Sequence, residues 1–447
     1  MLGLVRPRNR QIFAMCVLIF VGMVLLSPAV PVQGRVADQV VVLTVDGLIV
    51  PVVAQYLDRG IADAERLGAV CVIELNTPGG LYDTTQKIVQ RIMNADVPVV
   101  VFVSPAGGWA GSAGTFITIS ADVAAMAPGS RIGAAHPVAA GGEQMTEAQE
   151  EKIVEDAAAW VRSIAEMRGR NAEKAELTVT ESRSYTDSQA LEFNLIDLQA
   201  PNLAELLQLI DGRTVTLDSG EIVRLATADA PLEREGMNWV ERTLHTLSNP
   251  TIAYILLSLG MLGLLIEFYN PGAIFPGAAG GLALVLALYS LGTLDASWGG
   301  IALIILGFVL LALELFVVSF GLLAAGGLIA IVLGSMILFA GSPEGFKVNI
   351  GVMAAIVAGI TLFAIFTVQS AVKMRKRQAA TGREGMSGAV AVALTQLDPK
   401  GEVLLEGERW RAVAEDGPVE ADEEVVVVRM EDGLKLVVRR REKTGGG

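Results

Sequence analysis

Charge is scarce in this chain. Asp, Glu, Lys and Arg make up 18% of its 447 residues against 52% hydrophobic residues, and the mean hydropathy is +0.51. A water-soluble chain of this length carries more charge, so part of it belongs in lipid. Histidine and cysteine are scarcer still, with two of each. His136 and His245 lie far apart in sequence and no Cys/His cluster accompanies them, which argues against a zinc enzyme and leaves no metal or cofactor expected. Cys16 lies in the first apolar run and Cys71 in a run that reads as a buried strand, so the two are not expected to pair. No segment offers a broad basic face, and the net charge of −14 argues against a nucleic-acid partner. The basic residues that do cluster, Arg6, Arg8 and Arg10 and then Lys373, Arg375, Lys376 and Arg377, flank apolar segments and read as topology markers.

What is present divides the chain into four parts. Residues 1–34 place three arginines before an apolar run from Ile12 to Leu26 and then Pro28 and Pro31, the order of an export signal. Val32-Gln33-Gly34 fits the small-residue cleavage rule, and an uncleaved anchor is the alternative; either way the following segment is expected outside. Residues 35–236 read as a mixed globular domain. Strands at Val40–Val45, Val70–Leu75 and Pro98–Val103 alternate with helices at Val50–Leu67 and Tyr82–Met93, a pattern that predicts a parallel sheet covered by helices. Thr186 to Gln189 form a capping box for a short helix through Phe193, and residues 138–147 have no periodicity and read as a mobile loop.

The third part, 251–370, is almost continuously apolar. Five segments, 251–268, 273–293, 299–318, 321–341 and 348–370, each approach the ~20 residues that a bilayer requires. The breaks at Asn270-Pro271-Gly272 and Phe320-Gly321 also allow re-entrant kinks. An outside N-terminal domain, five crossings and the Lys373–Arg377 cluster inside are mutually consistent. Glu267 and Glu314 lie in or at the edge of apolar segments and are functional candidates as intramembrane carboxylates, with hydrogen bonding to Tyr254, Ser258 or Ser319 as the structural alternative. The fourth part, 384–440, holds short alternating strands at Ala389–Leu394, Gly401–Leu405, Glu408–Ala414, Glu424–Met430 and Leu434–Val438, which predict a small barrel of the OB type serving assembly.

Three features carry chemistry. Asn76-Thr77-Pro78-Gly79-Gly80 follows a strand and precedes a helix, and its paired glycines leave backbone N–H groups unobstructed, as an oxyanion hole requires. A plain strand-to-helix turn is the alternative. Gly111-Ser112-Ala113-Gly114-Thr115 sets a serine among small residues at a helix start, where the helix dipole favours developing negative charge; close helix packing is its alternative. Lys152 lies early in a helix whose apolar face (Ile153, Ala157, Trp160, Ile164) is expected to pack inward, so that a desolvated amine accepts the serine proton; an ordinary solvated lysine is the alternative.

Taken in order, Thr77-Pro78-Gly79-Gly80, Ala110 to Thr115, Gly129 to Val138 and Arg168-Gly169-Arg170-Asn171 resemble the NfeD proteins of the ClpP/crotonase superfamily. Ile266 to Gly272 and the C-terminal barrel resemble the long form of that family. The resemblance implies a membrane-anchored serine endopeptidase: an α/β ClpP/crotonase-like protease domain, an α-helical transmembrane bundle and a small all-β OB-fold-like barrel. It implies a Ser112–Lys152 dyad, with oxyanion donors at Gly80 and Ala113 supported by Gly79. It also implies cleavage of hydrophobic segments of membrane-associated proteins in quality control, with a stomatin- or flotillin-like partner and a homo-oligomer, dimer or larger. Soluble ClpP proteases use a serine, a histidine and an aspartate. Aligning Pro137 with the proline after their histidine puts Ala135 at the histidine position and His136 one residue late, on the opposite face of a strand.

Three other readings share part of this pattern. A crotonase-type CoA enzyme needs a nucleotide pocket and a carboxylate acid/base, and an exported domain meets little acyl-CoA. A signal-peptide peptidase uses serine and lysine but lacks the membrane bundle and barrel. A catalytically inactive scaffold that binds stomatin- or flotillin-like proteins remains compatible with every motif.

Overall fold

The computed structural model describes residues 35–138, 146–340 apart from 273, 295, 315 and 318, then 347–376, 386–431 and 435–441. The export signal read over 1–34 lies outside these residues, as do 139–145 of the loop and the side chains of the Lys373–Arg377 cluster.

From Arg35 the order is β1 (Arg35–Ala37), β2 (Val40–Asp46), α1 (Pro51–Leu67), β3 (Val70–Asn76), α2 (Tyr82–Met93), β4 (Val99–Val103), β5 (Trp109–Gly111), α3 (Ala113–Ser120), β6 (Val123–Met126) and β7 (Arg131–Gly133). It continues through α4 (Glu147–Met167), α5 (Ala172–Thr180), β8 (Ser184–Thr186), α6 (Asp187–Glu192), β9 (Leu198–Gln199), α7 (Leu203–Ile210), β10 (Thr214–Thr216), β11 (Ile222–Leu225) and β12 (Leu232–Glu235). β-Branched runs make the strands, and Pro51 and Gly68 set the ends of α1: the proline ring pre-fixes its first turn and Gly68 closes it at φ 66°.

Six strands in the order β12-β2-β3-β4-β6-β9 form one sheet, parallel at every pairing. Burial on both faces explains the unbroken valine runs. On one face Val40, Val42, Val72, Val100 and Phe102 pack with Leu206 and Ile210 of α7. On the other, Leu43 occupies the space a β-carbon on Gly60 of α1 would need. Two three-stranded sheets, β1-β11-β10 and β5-β7-β8, flank the main one. The second carries the candidate site. The helix after Thr186 has its expected capping box, reciprocal between Thr186 and Gln189.

After α8 (Trp239–Leu247) come five apolar helices: α9 (Pro250–Tyr269), α10 (Phe275–Thr293), α11 (Trp298–Leu313), α12 (Leu322–Ile337) and α13 (Ile350–Lys376). Only α9, α10 and α13 are long and apolar enough to cross a bilayer alone. α11 and α12, at 16 residues each, reach about 24 Å against a hydrocarbon core of about 30 Å. The five full-length crossings expected from sequence therefore become three, plus a pair of shorter helices. That pair meets backbone to backbone at glycines, Gly300 with Gly334 and Gly307 with Gly327, each facing the other's carbonyl oxygen.

Both membrane carboxylates have local partners. Glu314 accepts hydrogen bonds from Ser319 Oγ at 2.5 Å and from the N–H groups of Gly321 and Ala324 at the start of α12. Glu267 accepts from Gly272 N at 3.3 Å. Tyr254 pairs with Ser335 rather than with a carboxylate.

The C-terminal strands β13 (Val390–Ala393), β14 (Lys400–Leu405), β15 (Glu408–Ala414), β16 (Glu424–Glu431) and β17 (Lys435–Arg440) close into a barrel in the order β13-β14-β15-β17-β16. Ala393, Val403, Leu405, Val427 and Leu436 fill its interior. Closure removes the exposed strand edges.

Candidate active site

The parallel sheet brings the chemistry-bearing turns to the C-terminal ends of β3 and β4. At the end of β3, Asn76 joins three segments: its Nδ2 donates to Asp46, its Oδ1 accepts from Trp109 N, and its carbonyl accepts from Gly47 N. Thr77 then folds the turn over itself. Its hydroxyl accepts from Gly79 N at 3.0 Å and lies 3.0 Å from Gly79 O. Gly79 sits at φ 135°, a conformation open to glycine. Gly80 lies against Ile49, whose carbonyl oxygen would be 2.2 Å from a β-carbon there. Ile49 holds this stretch from both sides, donating to Gly79 O and accepting from Leu81 N at 2.9 Å each. The two glycines are thus required by the turn's own geometry.

Ser112 stands between β5 and α3 with φ 49° and ψ −109°, outside the regions comfortable for a side chain. Its N–H donates to Gly133 O and its carbonyl accepts from Thr115 N, both at 2.9 Å. It is half-buried, and its hydroxyl neither caps α3 nor bonds another group among the described residues. A β-carbon on Gly79 would lie 2.8 Å from Ser112 Cβ and 3.4 Å from Oγ, so the glycine turn and the serine are in direct apposition. Among the described residues, the N–H groups of Gly80 and Ala113 donate to no protein acceptor. Ala113 opens α3, where unpaired N–H groups and the helix dipole favour an anion.

The far end of α3 is held with equal care. Arg170, buried, donates to the carbonyls of Ile119, Ala121 and Leu195 and pairs with Asp197 at 3.0 Å. Arg168 donates to Ser120 O at 2.7 Å and pairs with Asp122 at 2.6 Å. Burial pulls the Arg170 guanidinium below its ordinary value and pushes the Asp122 carboxyl up. Two cations at the helix C-terminus complement its dipole.

Lys152 is placed differently from the expectation. It is exposed on α4, with no hydrogen bond or ion pair to Ser112. The apolar face expected to desolvate it begins too late: Ile153 is 38% exposed, and burial starts at Ala157. Lys152, Asp156 and Trp160 nevertheless recur every four residues along one side of α4. Tyr82 Oη donates to Asp156 at 3.3 Å, and Trp160 stacks on Phe116 with ring centroids 4.7 Å apart while Tyr82 meets both rings edge-on. Tyr82 follows Gly80 by two residues and Phe116 follows Ser112 by one helical turn. The side of α4 that carries Lys152 is therefore docked onto the two elements bearing the glycine turn and the serine. Burial, with Asp156 adjacent, pushes the Tyr82 hydroxyl up to about 12, so it stays a donor.

His136 is held elsewhere. Its Nδ1 lies 2.9 Å from Val179 O and its Nε2 3.6 Å from Glu150. Ala135, buried, donates its N–H to Thr178 O. The residues missed from sequence, Asn76, Thr77, Thr115, Tyr82 and Phe116, lie in or directly beside the motifs already singled out.

Comparison with known proteins matches the chain domain by domain. Residues 39–221 match the NfeD1b N-terminal domain, 251–368 the NfeD integral membrane domain, and 383–440 the NfeD-like C-terminal, partner-binding domain. The chain is 32% identical to the membrane-bound protease PH1510 of Pyrococcus horikoshii over 98% of this chain and 99% of that protein. The chain belongs to the NfeD family. A second relative, membrane protein NfeD1b of Bacillus subtilis, is 29% identical over 94% of this chain and 97% of its own length. Among solved structures, a substituted form of the 1510-N membrane-bound stomatin-specific protease with a substrate peptide is 31% identical. It covers 47% of this chain and 98% of its own, with a TM-score of 0.44. As an NfeD protein this is a membrane protein with an NfeD1b N-terminal domain, an NfeD membrane domain and a C-terminal barrel.

Proposed function

We propose that the chain is a membrane-anchored serine endopeptidase, and the observation that carries this is the strained, unbonded Ser112 set against Gly79 with the N–H groups of Gly80 and Ala113 unused. Ser112 Oγ attacks the scissile carbonyl, forming a carbon–oxygen bond, while the Lys152 side chain acts as general base and takes the hydroxyl proton. Gly80 N–H and Ala113 N–H stabilise the oxyanion, with Gly79 giving the close approach. Lys152 then returns the proton to the leaving amine as the peptide bond breaks, and water hydrolyses the acyl-enzyme by the reverse sequence. With Lys152 exposed, this reading requires that the dyad assemble only with substrate bound, α4 closing on the serine about the aromatic contacts of Tyr82, Phe116 and Trp160.

The substrate is an apolar segment of a membrane-associated protein. The domain is joined to the first bilayer helix through α8 alone, which keeps the site near the membrane, and an apolar strand suits pairing beside the valine-rich sheet. A stomatin- or flotillin-like partner fits the partner-binding description of the C-terminal domain. In our reading residues 35–245 lie outside, residues 375–447 inside, and the chain works as a homo-oligomer in membrane protein quality control.

The test is hydrolysis of an apolar peptide library by the full chain in detergent. Ser112→Ala and Lys152→Ala each abolish turnover, since the two act as one unit, whereas His136→Ala keeps most of it. A dead His136→Ala with an active Lys152→Ala would overturn the dyad, and a demand for a charged residue beside the cut would overturn the apolar substrate. The exposure of Lys152 favours one second reading, an inactive scaffold binding stomatin- or flotillin-like proteins, for which the wild type shows no turnover.

A further inference from the structure

Ser112 holds its conformation at a cost, since a non-glycine residue at φ 49° and ψ −109° is strained and the surroundings must offset that strain. Both ends of its backbone lead to one residue, Thr115, one through its N–H and the other through its hydroxyl by way of Gly133. The Ser112 carbonyl accepts from Thr115 N at 2.9 Å, and the Ser112 N–H donates to Gly133 O at 2.9 Å. Gly133 is in turn fixed by the Thr115 hydroxyl, which accepts from Gly133 N at 3.1 Å and lies 3.1 Å from Gly133 O. The same hydroxyl lies 3.0 Å from Ala110 O, on the strand that leads into Gly111 and Ser112. Thr115 is fully buried, so no water competes for these bonds.

We propose that Thr115 is the positioning residue of the nucleophile: its hydroxyl staples the end of β5 to the end of β7 and so holds Ser112 in the strained conformation that directs Oγ at the substrate. The proposal rests on the reading of Ser112 as nucleophile. A hydroxyl has one proton and two lone pairs, so it donates to Ala110 O while accepting from Gly133 N, leaving Gly133 O to receive the Ser112 N–H. Gly133 also matters on its other side. At φ 132° it packs on Arg183 O, where a β-carbon would come within 2.2 Å, and it begins the segment Ala134-Ala135-His136 that leads toward α4. Thr115 thus sets the serine and the start of the segment leading to Lys152 in one frame.

The test compares Thr115→Ser, which keeps the hydroxyl, with Thr115→Val, which keeps the shape and loses it, in the full-length protein in detergent. The readouts are the labelling rate with a fluorophosphonate, the split of kcat against KM on a cleaved apolar peptide, and melting temperature. Thr115→Ser should label within about twofold of wild type, and Thr115→Val about 100-fold more slowly, the scale of a small misplacement of a reacting atom, with KM unchanged. Introduced into Ser112→Ala, Thr115→Val should leave peptide affinity unchanged. Labelling of Thr115→Val at the wild-type rate, or an equal loss of labelling and of peptide affinity, overturns the proposal. Should Thr115→Val fail to fold, Thr115→Ser still decides, because a folded Thr115→Ser that labels 100-fold slower contradicts a role for the hydroxyl. If Ser112→Ala itself labels like wild type, the reading of Ser112 fails, and Thr115 falls with it.

Discussion

Gly79 and Ser112 are in such close apposition that a β-carbon on the glycine would stand 2.8 Å from that of the serine. Gly79 also lies at φ 135°, so alanine there meets both a clash and an unfavourable backbone. Gly79→Ala should therefore leave the fold in place and lower peptide hydrolysis by about 100-fold, because the glycine turn shifts away from the serine. The check is hydrolysis together with a melting curve. Wild-type turnover in Gly79→Ala would show that the apposition has no catalytic weight.

Arg170 predicts a different outcome, lost stability. Its guanidinium reaches three carbonyls and Asp197 from a buried position at the end of α3. Arg170→Leu leaves Asp197, which keeps the Ala124 N–H, without its cation and the three carbonyls without a donor, at a cost of about 1–3 kcal/mol. Denaturant unfolding of the full chain in detergent measures it. A loss below about 1 kcal/mol would place Arg170 among ordinary surface changes.

Much of this fold was legible from periodicity, and the reasons are local. β2, β3 and β4 are runs rich in β-branched residues, and the boundaries at Tyr82–Met93 and Glu408–Ala414 coincide with the expectation because Gly79-Gly80 and Asn94 flank the helix and Glu406-Gly407 turn the chain before the strand. Two features were not legible, since both depend on contacts across the chain. Hydropathy alone cannot show that the helices at 298–313 and 322–337 stop short, with glycines pairing them backbone to backbone. Periodicity also placed Ile153 on an inward face with Lys152 beside it, whereas α4 settles on Phe116 and Tyr82 only from Asp156 onward. Thr115 was hidden inside the serine motif, where its spacing reads as helix packing.

Topology follows from an odd number of crossings. In our proposal three full-length helices with one pair of shorter helices keep the odd parity of five crossings, which would put the domains flanking the membrane part on opposite sides. A phosphatase fused after Leu232 should be active and one fused after Gly388 silent. Activity at both positions would require an even number of crossings.

Acid should loosen the joint between the N-terminal α/β domain and α8. The Arg59 side chain bonds Glu241, with its N–H groups at 3.1 and 2.8 Å, and holds that carboxyl below its ordinary range. A carboxyl depressed in the folded state contributes stability that is present above its unfolded value and is lost as pH falls through the folded one. Limited proteolysis after residue 235 should therefore accelerate below about pH 4 in the wild type. Glu241→Gln should cut readily at neutral pH and lose the pH dependence. Equal protection of both proteins at neutral pH would contradict the tether.

Fluorophosphonate labelling of the full-length protein in membranes addresses the serine and lysine most directly, because it reads nucleophile activation without needing to know the substrate. Wild type should label at Ser112, as located by mass spectrometry. Ser112→Ala should not label, and Lys152→Ala should label far more slowly while His136→Ala labels normally. Labelling that persists in Ser112→Ala, or that is indifferent to Lys152→Ala and lost in His136→Ala, would contradict the account.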